Sequence, residues 1–252
     1  MSYSDTDETI RKRSGWLIPL GVFLVTLALS ALMLLFYLAP NAPSFLDEQV
    51  SPTSRTDIVA LQVHDLKLWI PANYLQYESS RQGGAQREVA LFALLPDMTG
   101  WSNWESSTFA GNPADSPVVY MQIRDERVNL TESDKLARIY MAYVTDPKGQ
   151  PGLFGLRQYS FRENAGYRNE DLFVGQTPSG LVVLRCVRFS PDVPSPSCLR
   201  DMPIARNVAM SYRFKRAHLA QWSEIGQSIL SLVTTFKKPP KQQTADLSEP
   251  RP

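Results

Sequence analysis

Residues 208–236 read VAMSYRFKRAHLAQWSEIGQSILSLVTTF, and the hydrophobic period changes within them. Val208, Met210, Tyr212 and Phe214 alternate with Ala209, Ser211, Arg213 and Lys215. A period of two describes a strand with one face buried. From His218 the period lengthens. Leu219, Trp222, Ile225, Ile229, Leu232, Val233 and Phe236 fall at three- and four-residue steps, which predicts a helix over His218–Phe236 with one apolar stripe. A single stripe is satisfied by packing on one face of a sheet. The expectation is an α+β domain of mostly antiparallel strands closed by a C-terminal amphipathic helix.

Upstream, the signals are those of strands. Ile58–Val63 and Leu66–Ile70 flank His64-Asp65, predicting a hairpin or one bulged strand. Glu88–Leu95 is an apolar run stopped by Pro96, and Val118–Arg124 alternates. Thr131 precedes Glu132–Ala137, a start signal for a short helix. Ile139–Val144 and Leu156–Arg162 read as strands around a Pro/Gly turn, and Asp171–Val174 and Leu181–Phe189 repeat that arrangement. Strands and helices do not alternate as in a parallel βαβ sheet.

The N-terminal part has different physics. Trp16–Ala39 reads WLIPLGVFLVTLALSALMLLFYLA, 24 positions without a charge. About 20 apolar residues in a helix cross the hydrocarbon layer. Arg11, Lys12 and Arg13 precede the run, whereas the far side offers Asp47 and Glu48 and no base before Arg55. Positive charge stays on the cytoplasmic side, so the N-terminus is expected inside and the remainder outside. Signal peptides have apolar regions of about 7–15 residues followed by a small-x-small site. This run is longer, and cleavage after Ala39 or Ala42 would place a proline next, so an uncleaved single-pass anchor is expected. The predicted organisation is a cytoplasmic tail (1–14), a transmembrane helix (15–39), a proline-rich linker (40–56), an outer α+β domain (57–237) and a disordered tail (238–252). In layout, though not in its domain, the chain resembles single-pass bacterial inner-membrane proteins with a periplasmic domain.

Composition excludes more than it assigns. The net charge is +1 across 252 residues, and there is no basic stripe interleaved with aromatics, so nucleic acid is not an expected partner. The two cysteines, Cys186 and Cys198, flank a segment with three prolines. In an oxidising compartment they are expected to form a disulfide. No second Cys or His pair is present to complete a zinc site. The motifs of nucleotide-, dinucleotide- and zinc-dependent enzymes are absent, as is the G-x-S-x-G elbow, and no cofactor is expected. With two histidines, acid–base chemistry falls to carboxylates. Asp97, Glu105 and Asp115 lie near Trp101 and Trp104, a combination that a glycan-cleaving pair would use. The competing reading is a surface loop whose tryptophans pack on the sheet.

That segment, PDMTGWSNWESSTFAGNPADSP at 96–117, is long for a connection, and long connections tend to be functional. Trp101, Trp104 and Phe109 are its candidate recognition anchors. The expected function is a membrane-anchored, non-enzymatic module binding a protein partner in the periplasm, as an envelope or secretion accessory or an immunity-type protein. A carboxylate hydrolase of cell-wall material and a purely structural tether are the alternatives.

Overall fold

The computed structural model describes residues 15–38, 48–128 and 130–240. The expectations for the N-terminal tail, for 39–47 and for the chain beyond 240 lie outside the described residues. The chain divides into two units with the boundary after Glu48.

In the first unit, α1 (Leu17–Leu38) has 22 residues. At 1.5 Å per residue this is about 33 Å, enough to cross hydrocarbon about 30 Å thick. Side chains from Ile18 to Leu35 are exposed, and that stretch carries no acidic or basic residue. The Thr26 hydroxyl donates to the Val22 and Phe23 carbonyls, both at 3.0 Å, so its polarity is satisfied within the helix.

The second unit contains β1 (Ile58–Val63), β2 (Leu66–Pro71), β3 (Gly84–Gln86), β4 (Glu88–Leu94), α2 (Ser106–Ala110), β5 (Val118–Asp125) and α3 (Glu132–Arg138). It continues with β6 (Gln150–Pro151), β7 (Arg157–Ser160), β8 (Glu170–Thr177), β9 (Gly180–Val187), β10 (Ser197–Ala205), β11 (Val208–Lys215) and α4 (Trp222–Phe236). Eight strands form one antiparallel sheet in the order β4-β5-β11-β10-β9-β8-β7-β6, and β2-β1-β3 form a small second sheet. This is the α+β architecture that the periodicities predict.

The turns follow side-chain chemistry. Two-residue connections join β1 to β2 at His64-Asp65 and β10 to β11 at Arg206-Asn207. His64 and Asn207 take the left-handed backbone these turns need, with φ of 52° and 57°, and both residue types are enriched there. Thr131 caps α3, its hydroxyl accepting the Asp134 N–H at 3.1 Å.

The core lies between the inner face of the large sheet, α4 and the small sheet. Leu91, Met121, Met210, Tyr212 and Phe214 meet Trp222, Ile225, Ile229, Val233 and Phe236 of α4, together with Leu61, Leu68 and Ile70. Cys186 and Cys198 are opposite each other on β9 and β10, Cα atoms 3.9 Å apart, and form a disulfide within this core.

Two local expectations need correction. The C-terminal helix begins at Trp222 rather than His218, because Arg216–Gln221 is a 3-10 turn. Three-residue periodicity places Leu219 and Trp222 in line, so the apolar stripe persists through the tighter turn. Ile139–Val144 is not a strand: Tyr140–Ala142 forms a 3-10 turn, and Val144 makes a single bridge to Phe161. Its apolar residues join a second cluster of Tyr140, Val144, Phe161, Ala165, Leu172 and Val183 on the outer face of the sheet. Short apolar runs satisfy either geometry, and here burial against β8 and β9 decides. The segment Ser197–Ala205, to which the periodicity assigns no element, is the central strand β10 despite its charges and Pro203. Its pairing with β9 covers only Cys198, Leu199 and Arg200, so Pro203 sits where β9 has already parted from it.

Candidate functional site

The outer face of the large sheet is covered at two places and open between them. On one side lie α3 and the second apolar cluster, and on the other lies the 96–117 loop carrying α2. Strand register defines what is exposed between. Leu172 pairs with Arg185, Arg185 with Leu199, Leu199 with Arg213, Arg213 with Tyr120, and Tyr120 with Phe92. This row begins beneath the cover, where Arg185 stacks on Tyr140 and Tyr167 at 5.8 and 5.0 Å. It then enters the open trough at Leu199, Arg213 and Tyr120.

The trough encloses about 540 Å³ and is lined by Tyr120, Gln122, Leu199, Ser211, Arg213 and Lys215, with Asn112 and Ser195 from the loops. A neighbouring hollow of about 450 Å³ is lined by Val50, Pro52, Phe92, Trp101, Phe109 and Tyr120. Tyr120 and Gln76 belong to both. Val50 and Pro52 come from the segment read as linker, whose Ser51 N–H donates to the Gln76 carbonyl at 2.9 Å. Residues 50–52 of that segment are therefore seated against the domain.

The loop between Pro96 and Pro117 forms one wall. It is fixed by Trp101 N–H to the Asn73 carbonyl (2.8 Å), Tyr74 hydroxyl to the Met98 carbonyl (2.9 Å) and Leu95 N–H to the Pro117 carbonyl (3.0 Å). Of the three expected anchors, Trp101 and Phe109 line the apolar hollow, and Phe109 packs on Phe92 with ring centroids 4.8 Å apart. Trp104 stands apart on the 3-10 turn Asn103–Glu105 and is 95% exposed, so the reading in which both tryptophans pack on the sheet does not hold for it. Asp97, Glu105 and Asp115 line neither hollow. Glu105 instead accepts a hydrogen bond from the Ser102 hydroxyl at 2.9 Å. His64 lies 3.2 Å from Asp65, 3.7 Å from Asp125 and 3.2 Å from the Asn207 amide, which ties together the two hairpin turns. Among the described residues no cluster of His, Cys, Asp and Glu fit for a metal is present.

Charge is distributed unequally along the trough. Near α3, Asp201 pairs with Lys135 at 2.6 Å and Arg124 at 3.1 Å, and Arg124 also pairs with Glu126 at 2.8 Å. At the opposite end Lys215 is 8% exposed and donates only to neutral acceptors, Asn112 Oδ1 and the Ser195 carbonyl. Burial, and then the neighbouring Arg213, holds its ammonium below the usual lysine range. Neither Lys215 nor Arg213 has a carboxylate partner among the described residues, and none lines the trough.

Phe92, Tyr120, Arg213 and Lys215 were not singled out from sequence. Their signal is the non-core half of each alternating strand. In β11 that half is Ala209, Ser211, Arg213 and Lys215, and in β5 it includes Val118, Tyr120 and Gln122.

No protein-family model and no curated protein matches the sequence. Among solved structures, the chain is similar in fold to Smlt3025, an immunity protein of the Stenotrophomonas maltophilia type IV secretion system. The TM-score is 0.51 at 16% identity, covering 72% of this chain and 93% of that one. A second similar structure is the Neisseria meningitidis iron-regulated outer membrane lipoprotein FrpD, with TM-score 0.45, 15% identity, and 75% and 99% of the two chains covered.

Proposed function

We propose that this chain anchors its folded domain on the outer side of a bacterial inner membrane, where the outer face of the large sheet binds a protein partner. The observation that carries this reading is the open trough between two covers. One wall is an aromatic loop, and the floor presents two cations without carboxylates. Interfaces are anchored by aromatic and arginine side chains seated beside desolvated pockets, and Trp101, Phe109, Tyr120 and Arg213 supply them. The exposed Trp104 extends the same surface. The charge-free α1, the basic residues before it and the buried disulfide support an outward, oxidising location. The fold likeness to Smlt3025 favours an immunity-type role, in which the bound partner is an incoming toxin.

A photo-crosslinking phenylalanine analogue in place of Tyr120, in the full chain in intact cells, tests the docking face. One discrete protein adduct is expected, lost on Trp101→Ala with Phe109→Ala. Absence of an adduct, or the same adducts from Leu153, which lines neither hollow, overturns it. Orientation is tested with a periplasm-dependent reporter fused after Phe236, which is expected to be active. Activity of a cytoplasm-only reporter at that position overturns the topology.

A further inference from the structure

We infer that the trough receives an extended acidic segment of the partner, with a carboxylate seated between Lys215 and Arg213 and a large apolar side chain three residues away in the Trp101–Phe109 hollow. This rests on the docking-face reading and specifies its chemistry.

The first argument is charge. A buried cation is ordinarily paired with an anion. Lys215 is almost fully buried, yet both of its acceptors are neutral. An ammonium has three N–H donors, and one is left without a described partner. Arg213 is on the same face of the same strand two residues away, exposed and without an ion pair among the described residues. Two like charges so placed repel each other, and one carboxylate between them relieves both. Only two cations line the trough, fewer than a nucleic-acid backbone requires, since its charge repeats every few ångströms.

The second argument is spacing. Arg213, Tyr120 and Phe92 are on successive strands in one register row. Strands are about 4.8 Å apart, so the cationic and aromatic positions are about 10 Å apart. A segment extended as polyproline II advances about 3.1 Å per residue with three residues per turn, so side chains three positions apart share one face about 9 Å apart and match that distance. The trough volume of about 540 Å³ is within the usual range for ligand-binding clefts. Tyr120, common to both hollows, would lie beneath the intervening residues.

The test uses the full chain in phosphatidylcholine vesicles and the acetylated, amidated octapeptide Gly-Ser-Glu-Thr-Ser-Leu-Ser-Gly, with its Gln counterpart as control. Calorimetry should show the acidic peptide binding about tenfold more tightly, the scale of one charge-assisted hydrogen bond. Lys215→Met should abolish that preference, Lys215→Arg should retain most of it, and Lys67→Met, on the distant β2, should leave it unchanged. Trp101→Ala with Phe109→Ala should weaken both peptides alike. Equal binding of the two peptides, or a preference that survives Lys215→Met combined with Arg213→Gln, overturns the inference. Displacement by equimolar inorganic phosphate, or loss of binding in phosphatidylglycerol vesicles, would assign the trough to a small anion or a lipid headgroup and overturns it too. A partner captured through Tyr120 without any acidic preference would refute this inference and leave the docking-face reading standing.

Discussion

Glu132 reaches from α3 into the gap where β9 and β10 part and grips Arg200 with both carboxylate oxygens, at 3.0 and 2.7 Å. One of those oxygens also accepts the Val183 N–H at 2.8 Å, a ladder donor that β10 no longer satisfies. One carboxylate, 51 residues from Val183 and 68 from Arg200, thus replaces a missing strand partner and neutralises a buried guanidinium. Burial works against the Arg200 charge, but the Glu132 hydrogen bonds, the nearby Tyr212 and Glu132 charges and the Tyr212 hydrogen bond together outweigh it, so its pKa is raised.

Removing one member of a buried pair leaves the other charge uncompensated, at roughly 3–5 kcal/mol. Glu132→Ala is therefore expected to destabilise the domain by about that amount, and it also orphans the Val183 N–H. Replacing both charges, as Glu132→Met with Arg200→Met, should recover much of the loss. Urea unfolding of the three variants checks this. A double variant less stable than Glu132→Ala would show that the network contributes more than the cancellation of its own desolvation.

The disulfide should resist reduction in the folded state. Cys186 and Cys198 are both completely buried, so a thiol must wait for the strands to open. Closing a 12-residue separation is worth at most about 3 kcal/mol, and the three prolines between the cysteines already restrict the unfolded chain. The double alanine variant should lose about 2 kcal/mol and still fold. Thiol labelling against reductant concentration is the measurement. Rapid reduction without unfolding contradicts the burial argument.

Gly175 makes room for a tryptophan. A Cβ there would be 2.6 Å from the Trp222 ring and 2.8 Å from Leu156. The ring cannot easily move, because its N–H donates to the Phe154 carbonyl at 3.1 Å. Gly175→Ala is expected to destabilise by roughly 1–3 kcal/mol, in the range of overpacked cores. Near-ultraviolet circular dichroism should report a disturbed Trp222 in the same variant.

The sequence showed those parts of the fold that follow from local periodicity. β11 was legible because one half of it is apolar, and α4 because its stripe persists through the preceding turn. β10 was not legible: Arg200 and Asp201 look solvent-directed until their partners on α3 are known. The candidate site was legible only in its loop. Trp101 and Phe109 stand out as aromatics in a long connection. Phe92, Tyr120, Arg213 and Leu199 lie in four separate strands, and only the register sets them in a row.

Tyrosine burial fixes the response to alkali. Tyr74, Tyr120, Tyr140 and Tyr212 are all raised above the ordinary value of 10.0, with burial the leading cause in each. For Tyr212, which accepts a hydrogen bond from Arg200 at 3.3 Å, the Arg200 charge and that bond oppose the shift without cancelling it. In the window between the ordinary and the raised value, the unfolded chain loses phenolic protons that the folded chain keeps. This contribution to stability is complete below pH 10.0 and declines as pH rises through the folded values. Lys215 and Lys237 act in the opposite sense, since burial lowers both, and they favour folding increasingly up to their ordinary 10.5. Above 10.5 both states carry neutral lysines, so the tyrosines alone set the slope. Stability should fall steeply there, and the part of the phenolate absorbance at about 295 nm that Tyr212→Phe removes should rise together with loss of tertiary signal rather than ahead of it. Tyr212→Phe should flatten the slope while lowering stability at neutral pH by about 1 kcal/mol, because the Arg200 N–H loses its acceptor. Titration of that Tyr212 fraction in a still-folded domain would refute the assignment.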